Sequence, residues 1–149
     1  MPGVAPKSGP QGDTQMAAGY SQTPLAKKLG FGDGVSVYAV NMPGSVKAEI
    51  NETANPKFAA KAAKGQPAAH LFATKAKALE AELKKLRPLL APDGMVWVSW
   101  PKKAAKVETD ITEDTIRKIA LPMGYVDVKV CAVDETWSGL KLVIRKRER

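Results

Sequence analysis

Sorted into apolar and polar positions, the chain falls into short apolar runs separated by helical stripes, after an opening stretch that has neither. Residues 1–19 are rich in Gly, Pro, Ser and Gln and nearly free of large apolar side chains, which predicts a disordered tail before one domain over 20–149. Met16, followed by AAGYS, is an alternative start within that tail. In YSQTPLAKKLGF, Thr23 suits a cap, Pro24 the first helical position and Gly30 a helix end. Val35–Val40 reads as a strand with apolar residues on both faces, the pattern of a parallel sheet. Residues 44–53 predict a short helix. NPKFAAKAAKGQP is ambiguous, because its alanines favour helix while Phe58 among lysines fits a short edge strand.

The second half is more regular. AAHLFAT (68–74) predicts a strand, and the following stretch a helix with Leu79, Leu83, Leu86 and Leu90 at three- to four-residue spacing. Glu80 and Lys84 support it at i,i+4. Pro92-Asp93-Gly94 predicts a turn and MVWVSW a strand. TEDTIRKIALPMG predicts a helix capped by Thr112, with Glu113 and Asp114 near the positive end of its dipole. VDVKVCAV and GLKLVIRK alternate as strands, and the DETWS between them is of hairpin length. The expected fold is therefore α/β: a small Rossmann-like, mainly parallel sheet with a C-terminal antiparallel hairpin.

Composition narrows the chemistry. At 149 residues a single domain can bury a core without staples. One cysteine, Cys131, excludes an internal disulfide, and one histidine, His70, leaves no Cys/His metal set. No apolar run is long enough to span a bilayer, and the N-terminus lacks the apolar core of a secretory signal, so a cytoplasmic location without membrane contact is expected. The net charge of +8 is spread out: residues 1–24 sum to zero, 25–94 to +5 and 95–149 to +3. Lysines so dispersed read first as solubility and only weakly as nucleic-acid binding. The basic end, Arg145 to Arg149, reads as a frayed, solvated terminus.

The run LRPLLAPDGMVWVSWPK resembles the helix–turn–strand of methyltransferase-like Rossmann domains, and VDVKVCAV–DETWS–GLKLVIRK is similar to their closing hairpin. TPLAKKLG, SWPKK and DETWSGLKLVIRK together resemble a family of short bacterial proteins of unassigned function, over nearly everything from Tyr20 onward. In methyltransferases a glycine-rich loop after the first strand approaches the cofactor, and an acidic residue ending the second strand holds the ribose. Here the first strand leads to Asn41-Met42-Pro43-Gly44, and no strand with an acidic end is evident in 45–67, a segment too short for two βα units. The resemblance thus implies a truncated scaffold without a cofactor: a non-catalytic binding or regulatory module.

The carboxyl edge of such a sheet is where ligands bind. Four loops are expected there: Asn41–Gly44, Thr74–Lys75, Trp100–Lys103 and Asp134–Ser138. The candidate ligand-binding residues are Asn41, Trp100, Lys102, Lys103, Asp134, Glu135, Trp137 and Ser138. They define an alternative reading, an enzyme or binder of a small anion or nucleotide, with Lys106 adding charge. The preferred reading is structural, with Trp100 closing the sheet edge and an acidic side chain of DETWS bridging to Lys102 or Lys103. His70, inside a buried strand, and Cys131, in an alternating one, read as core residues. No glycine-flanked serine elbow, phosphate loop or paired-histidine zinc motif is present.

Overall fold

Each apolar run becomes a strand, and the helices cover both faces of the resulting sheet. The computed structural model describes residues 23–149, so the tail over 1–19 and Met16 lie outside the described residues. The strands are β1 (Ser36–Val40), β2 (Lys57–Ala59), β3 (Gln66–Phe72), β4 (Leu90–Pro101), β5 (Tyr125–Ala132) and β6 (Trp137–Ile144), in the order β2-β1-β3-β4-β6-β5. The first four run parallel, while β6 is antiparallel to both neighbours. β5 therefore points the same way as β4, and its carboxyl end reaches the same edge.

Helices α1 (Leu25–Leu29) and α2 (Gly44–Asn51) pack on one face. Their Leu25, Leu29, Val46 and Ile50 meet Val37, Ala68, Phe72 and Trp97 of the sheet. Helices α3 (Ala76–Leu86) and α4 (Glu113–Ala120) cover the other face, where Leu79, Leu83, Leu86 and Ile116 meet Tyr38, Leu71, Val98 and Leu142. Trp97 crosses between layers, donating its indole N–H to Leu29 O at 2.8 Å. α4 begins at the expected cap: Thr112 Oγ1 accepts from Thr115 N at 3.2 Å. Gly30 ends α1 at φ +79, where a side chain would be strained.

Several boundaries differ from the sequence expectation, each for a local reason. α1 begins one residue later, with Pro24 at the cap position. α3 stops at Leu86, so Leu90 is not its last stripe residue but the first residue of β4, paired with Gln66. Pro92-Asp93-Gly94 is an excursion inside β4 rather than a turn before it, since the register jumps from Gln66↔Leu90 to Ala68↔Met95. The ambiguous 57–59 segment is an edge strand. Trp100, Trp137 and Ser138 lie within strands rather than in loops. β5 carries an extra residue, Val128, where its register with β6 shifts between Asp127 and Lys129.

Residues 60–65 carry the chain from β2 past β1 to β3 without a helix. Gln66 stabilises this crossing. Its side-chain oxygen accepts from Ala63 N at 3.0 Å, and its side-chain nitrogen donates to Ser36 O and Ala68 O, both at 3.1 Å. Relative to the usual doubly wound order 3-2-1-4-5-6, one outer strand and its crossover helix are missing beyond β2. The C-terminal residues are not frayed either: Lys146–Glu148 form a short 3-10 turn held by side-chain bonds.

Candidate functional site

In open sheets of this kind the crevice lies at the carboxyl ends of the strands, where the winding direction reverses. Here that point is between β1, which leads outward to β2, and β3, which leads inward to β4. On the β1 side lie Asn41, exposed and at φ +55, then Met42 and Pro43, which precedes α2. On the β3 side the chain closes over itself. Thr74 O accepts from Thr109 Oγ1 at 2.8 Å and from Asp110 N at 3.2 Å. Asp110 Oδ1 in turn accepts from Ala76 N at 2.7 Å. A carboxylate from 34 positions downstream thus occupies the positive end of α3. Sequence reasoning missed Thr109 and Asp110, since nothing local distinguishes them from a polar lead-in to the Thr112 cap.

The two tryptophan-bearing segments do meet. Pro101 pairs with Trp137 and Trp100 with Ser138, and Lys102 N donates to Thr136 O at 2.8 Å. These contacts join the two segments through the backbone. Asp134 closes its own turn instead, its Oδ1 accepting from Thr136 N and Trp137 N, both at 2.8 Å. The indoles separate, because adjacent positions of a strand point to opposite faces. Trp100 packs into the α3/α4 core at 8% exposure, whereas Trp137 packs edge-on against Phe72 on the α1/α2 face, 5.1 Å between ring centres. Lys102 is half-buried; Lys103 and Glu135 are exposed. Asn41 and the β5–β6 hairpin share the carboxyl edge.

His70 and Cys131 complete the list of reactive groups. His70 is fully enclosed, stacked on Phe72 at 4.2 Å with Phe31 edge-on at 5.8 Å. Its Nε2 lies 2.7 Å from Ser99 Oγ, and its Nδ1 has no partner among the described residues. Burial pushes its pKa down to about 3 and keeps it neutral. Shut away from solvent and with a neutral serine as its bonded partner, it packs rather than reacts. Burial raises the Cys131 thiol pKa, against the opposing pull of Lys28, Lys129 and Lys102. Among the described residues no group of three His, Cys, Asp or Glu side chains is placed to hold a metal ion.

No protein-family model and no curated sequence matches the chain. Solved structures do, at low identity. A candidate type 11 methyltransferase from Sulfolobus solfataricus is 12% identical, with a TM-score of 0.57 over 81% of this chain and 89% of that one. The Burkholderia thailandensis 1,6-didemethyltoxoflavin-N1-methyltransferase, solved with S-adenosylhomocysteine, is 13% identical, with a TM-score of 0.56 over 82% and 77%. Aeropyrum pernix fibrillarin, solved with natively bound S-adenosyl-L-methionine, is 12% identical, with a TM-score of 0.54 over 84% and 70%. The fold is methyltransferase-like. The fold alone follows from such identities.

That fold implies S-adenosylmethionine, and the residues here do not fit it. The loop after β1 offers one glycine, Gly44, which already lies in the first turn of α2. Pro43 before it has no N–H to donate. A Cβ on Gly44 would meet nothing within 4 Å, so no close approach of the protein's own chain requires that glycine. About 20 residues past the loop, where a carboxylate would hold the ribose, β2 ends in Ala59, followed by Ala60 and Lys61.

Proposed function

We propose that this protein is a non-catalytic binding or regulatory module built on a methyltransferase-like scaffold. The observation that carries the reading is the β1–α2 connection, Asn41-Met42-Pro43-Gly44, which has a single glycine and loses one backbone donor at Pro43, where a cofactor cradle is glycine-rich. The end of β2 supports it, with Lys61 near the place where an acid would be needed. The Asp110 strap supports it as well, since it fills the β3 side of the crevice with the protein's own groups. The unpaired Cys131 suits a reducing cytoplasm, and no helix among the described residues is long and apolar enough to cross a membrane. Titration of the full chain with S-adenosylmethionine and S-adenosylhomocysteine, followed by calorimetry and thermal melting, tests it. No heat and no shift are expected. Micromolar binding overturns the reading, because a ligand at 100 times its Kd stabilises by about 2.7 kcal/mol and is readily seen.

A second reading, a small-anion or nucleotide binder at the carboxyl edge, draws on one observation. Among the described residues, both non-glycine residues with positive φ, Asn41 and Lys106, fall on connections at that edge, and such backbone conformations gather at functional sites. Inorganic phosphate and nucleoside phosphates are the probes. Saturable binding that is lost in the K102E/K103E variant supports this reading, and no binding at millimolar ligand removes it.

A further inference from the structure

Two basic stretches far apart in sequence, Lys84-Lys85-Leu86-Arg87 and Arg145-Lys146-Arg147-Glu148-Arg149, come together at the amino-terminal edge of the sheet. They meet around Gly124, which ends the turn between α4 and β5. Arg87 Nε donates to Met123 O at 2.9 Å, and Arg145 donates from its backbone N to Gly124 O at 2.8 Å and from Nη2 to Leu121 O at 2.9 Å. Arg149 Nε donates to Ile144 O at 2.8 Å. These acceptors are carbonyls, which orient a guanidinium without cancelling its charge. Two carboxylates lie among the cations: Glu148, 3.9 Å from Arg87 and 3.3 Å from Arg145, and Glu82, 3.7 Å from Lys85. Lys84 lies one turn before Arg87 on the same stripe of α3, and Lys146 and Arg147 are exposed.

We propose that this surface binds the phosphate backbone of double-helical nucleic acid without reading its bases. Four of the seven cations are arginines, whose planar forks match phosphate oxygens. Their spread over the end of α3 and the C-terminal 3-10 turn, joined through the carbonyls of the turn before β5, suits a row of phosphates better than one small anion. The neighbouring aromatic, Tyr125, is fully buried with its hydroxyl on Leu83 O, so no ring stands ready to stack on a single-stranded base. The surface lies at the opposite edge from the lost cofactor cradle and is independent of it.

The test measures binding of the full chain to labelled duplex DNA and duplex RNA at two salt concentrations. With about four phosphate contacts, affinity should fall on the order of 100-fold between about 50 and 200 mM salt. K146E/R147E should weaken binding by roughly 10-fold or more at the lower salt, and K84E should act in the same direction. K61E/K77E changes the charge equally at the far edge, at two exposed lysines outside the candidate site, and should cost less than roughly 3-fold. Equal losses in the two double variants would show diffuse charge and overturn the proposal. So would no duplex binding at the lower salt, or tighter binding to phosphatidylserine-containing vesicles than to either duplex.

Discussion

His70 Nε2 and Ser99 Oγ lie 2.7 Å apart on neighbouring strands, and neither residue has any exposed surface. Burial lowers the imidazole pKa from 6.5 to about 3. The unfolded chain therefore takes up a proton that the folded protein refuses. Stability from this group is complete above pH 6.5 and is lost as pH falls toward 3, at about 1.4 kcal/mol per pH unit within the window. Urea midpoints at pH 7.5 and pH 5 should show this loss in the parent. H70L should be less stable at pH 7.5, where Ser99 loses its partner, and should lose less on acidification. An unchanged pH dependence in H70L would assign the effect elsewhere.

Asp110 caps α3 from a distance, so D110A should cost about 0.5–2 kcal/mol, comparable to T112A at the local cap of α4. The two differ in reach. D110A should also raise hydrogen exchange at Ala76 and across the loop from Lys106 to Ile111, whereas T112A should leave Ala76 protected. Equal exchange at Ala76 in parent and D110A would mean that the cap contributes nothing.

The indole N–H of Trp97 ties α1 to the sheet. W97F leaves Leu29 O without its donor and opens space beneath α1, and should cost about 2 kcal/mol or more in chemical unfolding. Destabilisation below about 0.5 kcal/mol would mean that water replaces the bond without loss.

Two glycine substitutions should part company. At Gly139 a Cβ would stand 3.1 Å from Val133 Cγ2 and 3.2 Å from Trp97 Cε3, so G139A should destabilise by about 1–3 kcal/mol. At Gly44 the space is open and φ is not positive, so G44A should be neutral or stabilise by up to about 1 kcal/mol. Parallel thermal melts check both.

The legible parts of this fold were those with a strong local signal. Leu79, Leu83 and Leu86 mark α3, the Thr112 cap marks α4, and the alternation from Tyr125 to Ile144 marks the closing hairpin. The hairpin's place at the carboxyl edge followed from strand direction alone. Elsewhere the information was not local. Leu90 fits the leucine stripe but is taken by strand pairing with Gln66. Pro92-Asp93-Gly94 carries turn chemistry that an excursion within β4 uses equally well. At the candidate site, proximity of the two loops was readable, but the side to which each indole turns depends on register. The Asp110 contact and the docking of Arg145 to Arg149 join segments that no pattern links, and only tertiary packing brings them together.

The extra residue at Val128 has a wider consequence. Long sheet edges invite other chains to add strands, and interruption of the edge discourages this. One edge here is β2, of three residues, and the other is β5, broken at Val128 between Asp127 and Lys129. Val128 and Val130 stay about half exposed, at 51% and 49%. Both described edges of the sheet are thus poor templates for backbone pairing with another chain, one by its length and the other by its bulge.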